Sequence, residues 1–268
     1  MPSVSNVAIG SNMAAAAANK ARHGMNESIA RLSTGIRAMY GGDAAGHSVG
    51  TVHNAESKSY AAATRNIEDG MSYAQTGESV LLEVANLAQR IRELGVADDN
   101  AELLDANQIA ALDAEATILG DSIDNILDKT KFNGIEVVDS AASKTVSINY
   151  TGDVSTAGKR TTVGPGQAVT AMAGLTDATS GAALADTFLG TVALALGNIA
   201  ADLTALKAFQ GAASATSANL AAAGARIMDT DYATETANLT KNSILNQAAL
   251  SMAAQANNAQ SAILSVLQ

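Results

Sequence analysis

"NSILNQAALSMAAQANNAQSAILSVLQ", residues 242–268, decides how this chain is read. None of its 27 residues is charged, and it holds neither Gly nor Pro, so nothing interrupts a helix. A charge-free run of that length is long enough to cross a bilayer. Yet 12 of the 27 are Asn, Gln or Ser. Each amide taken into hydrocarbon without a partner costs roughly 4–8 kcal/mol, so no membrane span is expected. The spacing gives another answer. Leu245, Ala249, Met252, Ala256, Ala259, Ile263 and Val266 recur at alternating steps of four and three. That is the seam of a coiled coil. The opposite side carries amides, hydroxyls and methyls (Ala248, Ser251, Gln255, Asn258, Ala262) where a solvated helix would carry Lys and Glu. Such a back suits wet packing between protein surfaces.

The other end of the chain matches. The first charge is Lys20, and the apolar positions Ala14, Ala18, Ala21, Met25, Ile29, Leu32 and Ile36 keep a helical period. Chain ends are usually frayed and hydrophilic. Two uncharged helical ends are expected to pack on each other and on something else. Burying a Leu, Met, Ile or Val contributes about 2 kcal/mol, whereas ordering a residue costs about 1–2 kcal/mol. One seam is insufficient for a 27-residue helix. The remaining faces must also be covered, and neighbouring copies are the expected cover.

Composition removes many functions. The chain has 268 residues, no Cys, no Trp and only two Pro, Pro2 and Pro165. Disulfides, thiol nucleophiles and Cys-based metal sites are excluded, and long helices run unbroken. No basic region followed by a Leu-rich core opens the chain, so no secretory signal is expected. The net charge of −10 comes from residues 93–139, which hold 12 acidic groups against Lys129 and Lys131. With no basic face to neutralise phosphates, nucleic acid is not an expected partner. The acidic residues are too dispersed for a calcium loop and read as a solvated surface. His47 and His53 lack metal-site spacing, and no nucleophile motif occurs. The chain is expected to be no enzyme and to hold neither metal nor cofactor.

Along the chain, helical periodicity covers residues 11–36, 52–96, 103–129, 184–228 and the C-terminal stretch. "GGDAAGHSVG" (41–50) and "GVADDN" (95–100) read as breaks. Asn133-Gly134 is a turn signal, and alternation at Ile135/Val137 and at Val146/Ile148/Tyr150 predicts two short strands. Residues 151–181 read as a small irregular or β region. Asp229 and Asp231 are N-cap candidates for the last helix. The expected fold is mostly α: a long antiparallel helical bundle with terminal coiled-coil helices, plus a small β-hairpin region in the middle of the chain.

These residues also carry a resemblance. "RLSTGIRAMYGGDAAG" (31–46), "ATRNIEDGMSYAQTGESVLLEV" (63–84), "RIREL" (90–94), "TKFNG" (130–134) and "ARIMDTDYATETANLTKNSILNQAALSMAAQAN" (225–257) follow the order of motifs in bacterial flagellin. The chain resembles that family over residues 20–138 and 211–268. The resemblance implies a structural subunit that self-assembles into the extracellular, helical filament of the bacterial flagellum, used for swimming. It also implies type III export, a chaperone on the C-terminal region, and hook-associated and cap proteins as partners. Two other readings are a hook–filament junction protein and, from a different class, a membrane-active helical translocator.

On this reading the inner terminal-helix domain is formed by residues 1–42 and 230–268. A helical core domain is formed by 43–138 and 184–229, with a short irregular or β variable region at 139–183. The self-assembly seam comprises Ala14, Ala18, Ala21, Met25, Ile29, Leu32, Leu245, Ala249, Met252, Ala256, Ala259, Ile263 and Val266. Departures are few. The turn before Asp43 is one residue short, "QANNAQ" (255–260) lacks the usual Pro, and Gln268 stands where many members have Arg. Because 139–183 is short, a smooth, thin filament is expected. The family's innate-immune receptor epitope maps to Gln89, Arg90, Glu93, Leu94 and Glu115. Ala88, Gly95 and Ala97 depart from its pattern, so weakened recognition is expected. The 13 Ser or Thr of residues 140–181 are expected to form a soluble turn region rather than glycan sites.

Overall fold

The computed structural model describes residues 2–37, 43–138, 144–148, 160–166, 168–169, 172 and 175–267. Five long helices dominate: α1 (Pro2–Thr34), α2 (Ala44–Asp98), α3 (Ala106–Lys129), α4 (Ala178–Met228) and α5 (Tyr232–Leu267). Four short strands lie between α3 and α4: β1 (Lys131–Phe132), β2 (Ile135–Glu136), β3 (Lys144–Ser147) and β4 (Arg160–Val163). The chain forms two compact units, residues 1–55 with 220–268, and residues 56–219. Both divisions fall inside α2 and α4, whereas the expected limits at 42/43 and 229/230 fall in connecting segments.

In the unit of residues 56–219, one apolar core joins Ile67, Leu81, Val84 and Ile91 of α2 to Ile123 and Leu127 of α3 and to Val192, Ile199 and Leu206 of α4. Val137, Val138, Val163 and Val169 close it from the β region. α2 and α4 run antiparallel: Ser57 Oγ donates to Ser217 O at 2.9 Å, Gln210 Nε2 donates to Glu68 Oε1 at 3.0 Å, and Ile91 lies beside Gly181. They approach closely where glycine allows it. A Cβ on Gly95 would lie 2.5 Å from Ala182 Cβ and 2.6 Å from the Ala178 carbonyl.

Helix starts in this unit are held by carboxylates. Asp105 forms a capping box with Gln108 at the head of α3. Asp177 accepts the Ser180 N–H at 2.7 Å, which holds its carboxyl below the usual range. Asp113 of α3 takes the Ala178 N–H at 2.8 Å, and the Thr179 hydroxyl donates to the buried Asp98. The chain leading into α4 has few ladder partners, so side chains replace them. Asp202 accepts the Gly164 N–H at 3.0 Å and Asp124 the Met172 N–H at 2.9 Å. Burial pushes both carboxyls up.

The β region holds the two expected strands, at Ile135 and Val146, and adds a partner to each. β1 and β2 form a two-residue hairpin through Asn133 and Gly134, both at positive φ (50° and 77°), the mirror-image turn that Asn-Gly favours. Tyr73 packs edge-on against Phe132 and donates to the Glu136 carbonyl at 3.1 Å. The strand expected from Val146 pairs antiparallel with β4, which alternation did not reveal. Tyr150 lies outside the described residues. The break expected at 41–50 is shorter, since α2 already begins at Ala44. Asp43 caps it, accepting the Gly46 N–H at 2.8 Å. α4 contains the one window, among the described residues, long and apolar enough to cross a membrane, with mean hydropathy 1.5. Part of that apolarity is core, since Ala185, Phe188, Val192 and Ala195 are buried against α2 and its neighbours.

Candidate assembly interface

In the unit of residues 1–55 and 220–268, α1 and α5 pack antiparallel. Arg31 of α1 reaches the buried Glu235 of α5 at 3.7 Å, and Gly24 sits against Asn242. The turn into α5 is pinned to the end of α1. Ile36 bridges Asp229, the Thr230 N–H donates to Gly35 O at 2.9 Å, and the Arg37 guanidinium donates to both Ile227 O and Asp43. Asp231 is the N-cap of α5, accepting from Ala233 N at 3.0 Å and from the Thr234 hydroxyl at 2.9 Å. The Thr234 hydroxyl, then the backbone donors, holds its carboxyl below the usual range. Asp229, the other N-cap candidate, is the bridge residue instead.

The stripe of α1 that is turned inward reads Ser11, Ala14, Ala18, Ala21, Met25, Ser28 and Leu32, all buried or half-buried. Its steps alternate between three and four, as a coiled-coil seam requires. The inward stripe of α5 is Glu235, Leu239, Asn242, Asn246, Ala249, Ala253 and Ala256. Small side chains on both let the backbones approach. At Gly24 a Cβ would lie 2.7 Å from the Asn242 amide nitrogen.

The thirteen seam residues therefore divide. Ala14, Ala18, Ala21, Met25 and Leu32 are turned inward, as are Ala249 and Ala256 of α5. Ile29, Leu245, Met252 and Ala259 are exposed, Leu245 to 49% and Met252 to 61%. The side chains of Ile263 and Val266 lie outside the described residues. At 100° per residue, Leu245 and Met252 stand roughly a quarter turn from the line facing α1. Thus α5 carries two stripes, one occupied by α1 and one open to solvent. Ile9, Met13, Ile244 and Leu250 add further exposed apolar surface that the periodic reading missed. A shallow groove beside it is lined by Tyr232, Thr236, Thr240, Lys241, Ile244 and Leu245. Apart from Glu235, Lys241 is the one charge on α5.

The epitope residues lie in the other unit. Arg90 pairs with Glu115 of α3 at 2.8 Å and with Glu93 at 3.2 Å. Glu115 foremost, then Glu93, raises the guanidinium above its ordinary value. Gln89 is exposed and shares a shallow pocket with Arg92, Glu93 and Val96. Leu94 is turned inward, buried against Ala116 and Ala178. Among the described residues no group of three or more His, Cys, Asp or Glu is arranged to hold a metal ion.

Known proteins share long stretches of this sequence. Residues 5–143 match the profile described as the bacterial flagellin N-terminal helical region, and residues 198–267 match the bacterial flagellin C-terminal helical region. The chain is 33% identical over 255 residues to a flagellin of Halalkalibacterium halodurans, covering 90% of this chain and 91% of that one. It is 30% identical over 281 residues to a flagellin of Bacillus subtilis, covering 90% and 92%. A crystal structure of Bacillus cereus flagellin is similar at 25% identity with a TM-score of 0.40, covering 58% of this chain and 88% of that one. With both helical regions matched and curated relatives aligned along nine-tenths of their length, the chain belongs to the bacterial flagellin family.

Proposed function

We propose that copies of this chain meet through the open stripe of α5 and the exposed apolar residues of α1. As a flagellin, the chain is a structural subunit of the flagellar filament and polymerises with itself. The observation that carries the assignment to these helices is the exposure of Leu245 and Met252 on a helix with almost no charge. Exposed apolar stripes of this kind mark association surfaces. In the polymer the whole seam, Ala14 to Leu32 and Leu245 to Val266, is covered, by the partner helix on one side and by neighbouring copies on the other. The filament lies outside the cell. The subunit reaches it through the flagellar export apparatus, with a chaperone on its C-terminal helix and with hook-associated and cap proteins at the filament ends.

Electron microscopy of the purified chain under polymerising conditions tests this. Leu245→Glu with Met252→Glu is expected to abolish filaments while circular dichroism shows unchanged helix content. Filaments of normal length from that variant would overturn the assignment.

The receptor reading concerns Gln89, Arg90, Glu93, Leu94 and Glu115. The ion-paired, exposed Arg90, Glu93 and Glu115 support a contact surface, with Leu94 holding α2 against α3 beneath it. Ala88 and Gly95 are buried beneath this surface, and the exposed Ala97 offers it only a methyl group, so recognition is weakened. Full-strength signalling by purified monomer in a cell reporter assay would overturn the weakening.

A further inference from the structure

We propose that Met13 and Met252 form an oxidation-sensitive site, at which peroxide converts two thioethers to sulfoxides and so blocks polymerisation. This rests on the assembly reading above. The eight methionines of the sequence are not equivalent. Met13 is 69% exposed and Met252 61%, whereas Met172 is 5% and Met228 8% exposed. Met25 and Met71 are half-buried, and the Met228 sulfur accepts from Asn54 at 3.6 Å. Among the described residues, the two exposed methionines sit on α1 and α5. The register fixed by Gly24 against Asn242 and Arg31 against Glu235 brings Met13 level with Met252. Helix periodicity then turns both to the same flank of the antiparallel pair, the flank of Leu245. Two soft, polarizable sulfurs therefore stand together on the surface that neighbouring copies are proposed to cover.

The chemistry balances without the protein supplying any group. A sulfur lone pair attacks one oxygen of hydrogen peroxide, the O–O bond breaks, and the departing hydroxide collects the remaining proton as water. Sulfur loses two electrons and peroxide gains them. The product replaces a flexible apolar side chain by a polar one with a strong acceptor. The flank offers methyl and methylene groups around it, at Ala17, Leu245 and Ala248, and an acceptor buried there is left unpaired. The lesion recurs at every contact a modified copy makes. In the polymer the same sulfurs are covered, so oxidation is confined to chains not yet assembled.

The test uses the full chain treated with hydrogen peroxide, peptide mapping by mass spectrometry, and polymerisation followed by light scattering and electron microscopy. Sulfoxide is expected at Met13 and Met252 about fivefold faster or more than at Met172 and Met228. The critical concentration for assembly is expected to rise about tenfold or more. Treatment with methionine sulfoxide reductases should restore it. Met13→Leu with Met252→Leu keeps volume and apolarity; whatever its own untreated critical concentration, peroxide is expected to leave that value unchanged. Equal oxidation of exposed and buried methionines would overturn the proposal. So would unchanged assembly of the oxidised chain, no recovery on reduction, or loss of assembly by the peroxide-treated Leu variant. Failure of the untreated chain to polymerise would overturn the assembly reading first, and this one with it.

Discussion

Asp105 illustrates how single residues set helix limits here. Its carboxylate accepts from Asn107 N at 2.7 Å and Gln108 N at 2.9 Å, and the Gln108 side chain returns to the Asp105 N–H at 3.0 Å. Asp105→Ala is expected to lower stability by about 1 kcal/mol in urea unfolding. The carboxylates also divide by pH. Asp177 and Asp231 have folded-state values below the usual range, so their stabilisation is present above the unfolded value and is lost as pH falls through the folded one. Asp124 and Asp202 are raised by burial, so their balance favours the fold at low pH and weakens as pH rises through the folded value. Asp124→Asn keeps an oxygen for the Met172 N–H and cannot ionise. Denaturation of the two proteins at several pH values should show the variant gaining stability relative to the parent as pH rises above the ordinary Asp value of 3.8. A constant difference would contradict this. The start at Asp105 went unread because Asp is common throughout residues 93–139, and the one at Asp177 because residues 151–181 show no helical period ahead of it. Only the folded partner shows which carboxylate caps.

At the scale of the element, glycines report which helix faces touch. Gly95 is pressed on α4, while Gly197 and Gly211 have open space around them. Gly211→Ala is expected to stabilise by about 0.5–1 kcal/mol, since Ala is the better helix former. Gly95→Ala gains the same propensity and loses more to the clash with Ala178 and Ala182, so its thermal midpoint should fall. Most helices were legible from period and composition, because Ala-rich stretches with two prolines in the whole chain leave few alternatives. Their partners were not. Periodicity marks large apolar residues, and on α5 that mark falls on Leu245 and Met252, whereas α1 chose the neighbouring alanine and amide stripe. Close helix pairing selects small side chains, which carry no contrast against an alanine background. β4 was invisible for a related reason: Arg-Thr-Thr-Val does not alternate, and only pairing with Lys144–Ser147 orders it.

For the whole molecule, the acidic block and the uncharged ends separate two tasks. Residues 93–139 hold the whole surplus of negative charge, while residues 2–19 of α1 and 242–267 of α5 hold no charge, and α1 and α5 offer apolar surface. Assembly driven by covering such surface carries a negative heat-capacity change. Calorimetry of polymerisation at several temperatures should give an enthalpy that becomes more favourable on warming. A flat enthalpy would mean that polar contacts dominate.

The notch of Gly24 against Asn242 has a consequence for length. An alanine strip is degenerate: slid by seven residues it looks nearly the same to its partner. Such a slip would set Asn242 against Ala17 or Arg31, and neither leaves room as Gly24 does. The notch therefore works as a vernier mark, fixing how far one helix stands along the other. Every copy then presents its outward residues at one height, and a filament grown from many copies inherits a single spacing rather than an accumulated scatter.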